Sequence, residues 1–202
     1  MLIKFLVFFG FLMVGITIHE FAHGWVAFKL GDSTAKYSGR LTLNPLAHID
    51  PIWTLLIPFL IFISTGFIFG VAKPVPINYW ALRNPKRDIL WVGLAGPGAN
   101  LMFAVLLSIL LKSLSFLGNL DFIFINLITI NVVLGIFNLI PIPPLDGSRI
   151  LMGLLPKDLA NRYAGIEPFG FLILLILLWT GLISKIIWPL IENTLHLLGI
   201  AY

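Results

Sequence analysis

Long charge-free apolar windows dominate the chain, and their limits predict its elements. The first apolar run, Phe5 to Phe28, carries Thr17, His19, Glu20 and His23 as its strongly polar side chains. At helical rise it is roughly 36 Å long, enough to cross a bilayer. Four further windows hold no charge at all: Pro51 to Ala72, Ile89 to Leu111, Phe122 to Leu145 and Pro168 to Ser184. Three polar stretches separate them. In the stretch Gly31 to Asp50, a turn at Ser38-Gly39 lies between Tyr37 and the alternating Leu41-Thr42-Leu43, which predicts a short membrane-associated β-hairpin. The stretches Lys73 to Asp88 and Asp146 to Glu167 read as loops, the first broken by Pro74, Pro76 and Pro85. No internal repeat is visible, so residues 1–202 read as one membrane-embedded domain.

Composition narrows the setting. With 59% hydrophobic and 11% charged residues, and a mean hydropathy of +1.02, the chain has too little polar surface to cover a soluble globule. The expected partner is the lipid bilayer, and the net charge of +4 speaks to orientation rather than to nucleic acid. Lys29, Lys36 and Arg40 follow the first helix, and the two later polar stretches are also basic, whereas Lys112 to Asp121 holds one residue of each sign. The three basic stretches are therefore expected on the cytoplasmic side of a cell membrane. Pro51 to Ala72 must then start and finish on one side. With Pro58 near its middle and Gly66 and Gly70 near its end, it fits a re-entrant or broken helix, although considered alone it also fits a simple fifth span. The expected fold is an all-α polytopic bundle of about four spanning helices plus this re-entrant or broken segment and the hairpin.

Three ionisable side chains inside a spanning helix are costly, about 2.5 kcal/mol or more each on insertion scales, and so mark a functional site. His19-Glu20-Phe21-Ala22-His23 puts two imidazoles one turn apart on one helix face, within reach of a single zinc ion, with the glutamate beside the activated water. The chain has no cysteine, so any metal must be held by His, Asp or Glu. A catalytic zinc needs a third protein ligand, and Asp146 is the best available: Pro141, Pro143 and Pro144 end the preceding helix, and Gly147 frees the backbone beyond. The other reading of Asp146 is an ordinary turn aspartate. Depth discriminates, because Asp146 meets His19 and His23 only if Pro51 to Ala72 returns to the side it left; otherwise His48 or Asp50 would be the next ligands to consider.

These residues resemble the site-2 proteases, the intramembrane zinc metalloproteases of peptidase family M50, in their compact prokaryotic form without a PDZ domain. The resemblance rests on HExxH at His19 to His23, on Leu145-Asp146-Gly147 preceded by Asn138, and on the GxxxN motif from Gly96 to Asn100. The segments Asn44 to Pro51 and Ala72 to Pro76 support it. It implies one zinc per chain held by His19, His23 and Asp146, Glu20 as general base, and cleavage of transmembrane or membrane-associated protein substrates in or near the bilayer. Asn138 and Asn100 are each either substrate or oxyanion donors, or interhelical hydrogen-bonding groups. His48 either hydrogen-bonds substrate or a ligand, or stabilises the hairpin. Two rivals remain from the residues alone: a membrane metal transporter, which would need ligands along a path, and a non-catalytic scaffold, which would be expected to have lost a ligand or the base.

Overall fold

The computed structural model describes residues 2–65, 73–113 and 120–200, and most of the apolar sequence among these residues is helical. Helix α1 spans Leu2–Lys29. It stops at Gly31, whose φ of +117° lets Asp32 N–H reach back to Ala27 O (2.9 Å) and satisfy one of the last carbonyls. A one-turn helix α2, Thr34–Tyr37, follows. A π-helical turn, Pro51–Leu56, runs into α3, Ile57–Thr65; Pro58, at the second position of α3, has no amide to bond back to Thr54 O, which is where the wide turns give way. The remaining helices are α4 (Pro85–Ser113), α5 (Asp121–Asn138), α6 (Asp146–Leu154), α7 (Lys157–Ala164), α8 (Glu167–Trp179) and α9 (Leu182–Leu197).

Helices α1, α4 and α5 are each long and apolar enough to cross a membrane, and α7 with α8 qualifies as a fourth only as a pair bent by 68°. The protein is thus all-α among its described residues and polytopic by the length and composition of its helices. Pairing along α1 and α4 runs His23 with Val92, then His19 and Gly15 with Asn100, so these two helices are antiparallel. Phe8 and Phe11 meet Phe122, and Gly15 lies against Asn131 and Leu134, so α1 and α5 are parallel. The end of α5, a turn or two beyond these contacts, therefore arrives near the level of His19 and His23 on α1. That arrangement brings the chain after Asn138 back to the HExxH turn.

Two backbone hydrogen bonds fix the path between α1 and α4. Arg83 N–H donates to Leu30 O at 2.9 Å, and Lys73 N–H donates to His48 O at 3.1 Å. The chain leaves the end of α1 and comes back to it before α4 begins. Gly66 and Gly70 lie outside the described residues.

Three expectations need correction, the first being that Asp146 to Glu167, read as a loop, is mostly helical as α6 and α7. The hairpin at Tyr37 to Leu43 is absent: no strand forms among the described residues. Gly39 (φ +66°) instead closes α2, with Arg40 N–H donating to Ala35 O and Gly39 N–H to Lys36 O. A glycine that turns a hairpin and a glycine that caps a helix need the same left-handed backbone, so the sequence signal was shared between them. The window Pro168 to Ser184 is likewise not one segment, because Gly181 (φ +72°) breaks it and starts α9. Ile191 and Leu195 of α9 then join Ala104, Leu107, Ile128 and Val132 in the main core. Arg149 of α6 forms a bidentate pair with Glu167 of α8 and lies over the Tyr79 ring, tying both helices to the loop before α4.

Candidate active site

His19 and His23 lie one turn apart on α1, their rings edge to face with centroids 4.6 Å apart, both buried against α4. Asp146 reaches them as the first residue of α6. The seven residues between α5 and α6 include Pro141, Pro143 and Pro144, which supply no amide donors, and they fold back tightly enough that a Cβ on Gly147 would strike the carbonyls of Leu139 and Ile140. Asp146 Oδ2 lies 2.9 Å from His19 Nε2 and 3.1 Å from His23 Nε2, and the two Nε2 atoms are 3.0 Å apart. Among the described residues these three form the one cluster whose ligand atoms, all within 4.8 Å of one another, could hold a metal ion.

The far side of each ring decides what the near side can do. His19 Nδ1 is 2.6 Å from Asn100 Oδ1, and the Asn100 amide nitrogen donates to Gly15 O and to Asn131 Oδ1. That amide orientation leaves Oδ1 as acceptor, so His19 Nδ1 carries a proton. His23 Nδ1 faces Val92 O at 2.7 Å and must donate as well. In the neutral rings both Nε2 atoms are then lone pairs, facing each other and a carboxylate oxygen. Three acceptors at about 3 Å with no donor between them repel unless a cation is shared.

Glu20 points to the neighbouring face and is half-buried. Its Oε2 accepts a 2.7 Å hydrogen bond from Val75 N–H, from the extended segment between Lys73 and Asn78. Gly96, on the α4 turn opposite, abuts both imidazoles so closely that any Cβ there would overlap them.

The remaining candidates separate. Asn100 is fully buried with its amide occupied on both sides, so it orients His19 and has no group left for a substrate. Asn138 ends α5 and bonds back to Leu134 O of its own helix. His48 is fully buried away from the cluster and binds Thr42 O through Nε2. Three participants had not been singled out. Asn131 carried a signal, as one of three asparagines in the otherwise apolar α5; Val92 and Val75 act through their backbones and carried none.

Comparison with known proteins places the chain in a family. Residues 112–178, which include Asp146, match the profile described as "Peptidase family M50". The chain is 40% identical over 190 residues to "Putative zinc metalloprotease YwhC" of Bacillus subtilis, covering 90% of this chain and 84% of that one. It is 33% identical over 198 residues to "Putative zinc metalloprotease Rip2" of Mycolicibacterium smegmatis, covering 92% and 71%. With "Zinc metalloprotease MJ0392" of Methanocaldococcus jannaschii it shares 31% over 151 residues, 75% of this chain and 35% of that protein. No solved structure matches. At this identity, spread across most of both chains, the resemblance to the site-2 proteases becomes membership: the chain belongs to peptidase family M50.

Proposed function

We propose that residues 1–202 form a single intramembrane zinc metalloprotease domain that hydrolyses peptide bonds of membrane-protein substrates in or near the bilayer. The observation that carries this reading is the convergence of His19 Nε2, His23 Nε2 and Asp146 Oδ2, with each Nδ1 already engaged on its far side. This donor set, two imidazoles and a carboxylate, fits zinc. Bound there, zinc supplies Lewis acidity, bringing the pKa of a water toward about 7 and polarising the scissile carbonyl. Glu20 takes the proton of the attacking water and passes it to the leaving amine. Asn100 and the Val92 carbonyl hold the two rings in the tautomer that keeps Nε2 free.

The purified protein is expected to contain about one zinc per chain, and His19→Ala, His23→Ala and Asp146→Ala should each strip most of it, measured by atomic absorption after dialysis. Full zinc in Asp146→Ala would exclude that residue as a ligand.

The domain lies in the cell membrane with its site toward the cytoplasm, and the chain leaves and returns on that side between His48 and Lys73. The basic stretches and the return of Lys73 to His48 and of Arg83 to Leu30 support this topology. Because the native chain has no cysteine, Ser38→Cys, Asn84→Cys and Asn161→Cys should each react with impermeant thiol reagents only from the cytoplasmic side. Outside labelling of Asn84→Cys, with Ser38→Cys protected, would show a crossing between them.

A further inference from the structure

Arg40 is a buried guanidinium, 9% exposed, with no carboxylate partner among the described residues. Its Nη2 donates instead to Lys73 O (2.6 Å) and, more distantly, to Pro74 O (3.4 Å). Pro74 C=O and Val75 N–H belong to one peptide group, and that N–H is the one bonded to Glu20 Oε2 at 2.7 Å. The Pro74–Val75 peptide group therefore lies between a cation on its oxygen and a carboxylate on its nitrogen. We propose that Arg40 is a positioning residue for Glu20, acting on it through this peptide group. The proposal rests on reading Glu20 as the general base.

A cation at a carbonyl polarises the amide and strengthens the bond its N–H makes to a carboxylate. The surrounding sequence keeps the group from swinging. Pro74 has a fixed φ, and Lys73 and Val75 each precede a proline, which confines them to extended backbone. Lys73 N–H is anchored on His48 O, and at the far end Asn78 N–H donates to Asp32 Oδ2 at 2.7 Å. Asp32 is itself buried and held by Thr34. The strap crosses α1 at Gly24, where a Cβ would sit 3.1 Å from Val75 Cγ1, and Val75 is buried there. With Oε2 fixed by this clamp, the other carboxylate oxygen of Glu20 is left to handle the proton. Without Arg40 the peptide group loses the charge behind it, and Glu20 loses its fixed direction.

The test uses the full chain in detergent or nanodiscs. Pro74 and Pro76 have no amide hydrogen, so exchange within 74–76 reports Val75 alone. Arg40→Ala should speed that exchange by about tenfold or more, the loss of one charge-assisted hydrogen bond, and Arg40→Lys should restore most of the protection. On fluorescein-labelled casein, kcat should fall by about tenfold to a hundredfold in Arg40→Ala, while KM and zinc content stay within about twofold. Val75→Pro removes the donor itself, so adding it to Arg40→Ala should cost no more than the worse single change. Unchanged Val75 exchange in Arg40→Ala, or losses that multiply in the double variant, would overturn the proposal. If Arg40→Ala does not accumulate, Arg40→Gln, which keeps an N–H but not the charge, serves for the same comparison. Native turnover in Glu20→Gln would instead sink the general-base reading. The exchange arm, which needs no cleavage, would still decide whether Arg40 holds the peptide group.

Discussion

Glu20→Gln is expected to lower peptide hydrolysis by about a hundredfold to ten-thousandfold, the range removed with a general base, while leaving zinc content and the helical spectrum at native values. The substitution is nearly isosteric, and the glutamine Oε1 can still accept from Val75 N–H, so the strap over the site keeps its anchor. What is lost is the capacity to take a proton. Cleavage of labelled casein, measured with enzyme in excess so that product release does not mask the chemistry, reads this directly. Turnover near the native rate would remove Glu20 from the role assigned to it.

How much of this was legible in the sequence depended on whether a side chain or the backbone performs the task. His19 and His23 were readable because helical spacing alone puts them on one face, and polar groups in an apolar helix need a reason. Asp146 needed one further step, an argument about depth. The parallel course of α1 and α5 and the return of the chain to Leu30 give that argument its physical basis. Asn100 was found, but its role was left open between substrate and packing; only its surroundings, with Gly15 O, Asn131 and His19 using its whole amide, make it an orienting group.

Left-handed glycine was the weak point. Gly39 could turn a hairpin or cap a helix, and in the structure it closes α2, with the buried guanidinium of the next residue bonded to Lys73 O. Gly181 lay inside a window whose hydropathy gave no hint of a break. The contacts through Val75 N–H and Val92 O could not be read at all, since every residue but proline offers the same amide and every residue the same carbonyl.

The three glycines of α4 show the same division. Gly93, Gly96 and Gly98 fall within two turns of α4. The structure gives each a different neighbour: Gly93 faces α6, with a Cβ there 2.9 Å from Arg149 Cβ; Gly96 faces the imidazoles; Gly98 meets nothing within 4 Å. Gly96→Ala is therefore expected to be as damaging to the metal site as the loss of a ligand. Its Cβ would lie 2.6 Å from both Cε1 and Nε2 of His19 and closer still to His23 Nε2. Neither side can yield cheaply, because Val92 one turn before and Asn100 one turn after hold the rings by their Nδ1 atoms. Overpacking of this kind costs about 1–3 kcal/mol in an ordinary core. Here it falls on the groups that must converge, so zinc should drop from about one per chain to a small fraction, with proteolysis lost alongside it. Gly98→Ala is the matched control on the same helix. It enters open space, gains about 1 kcal/mol of helix propensity, and should keep native zinc and activity. A Gly96→Ala protein that retained its full zinc would mean that the imidazoles do not meet the metal where α4 now confines them.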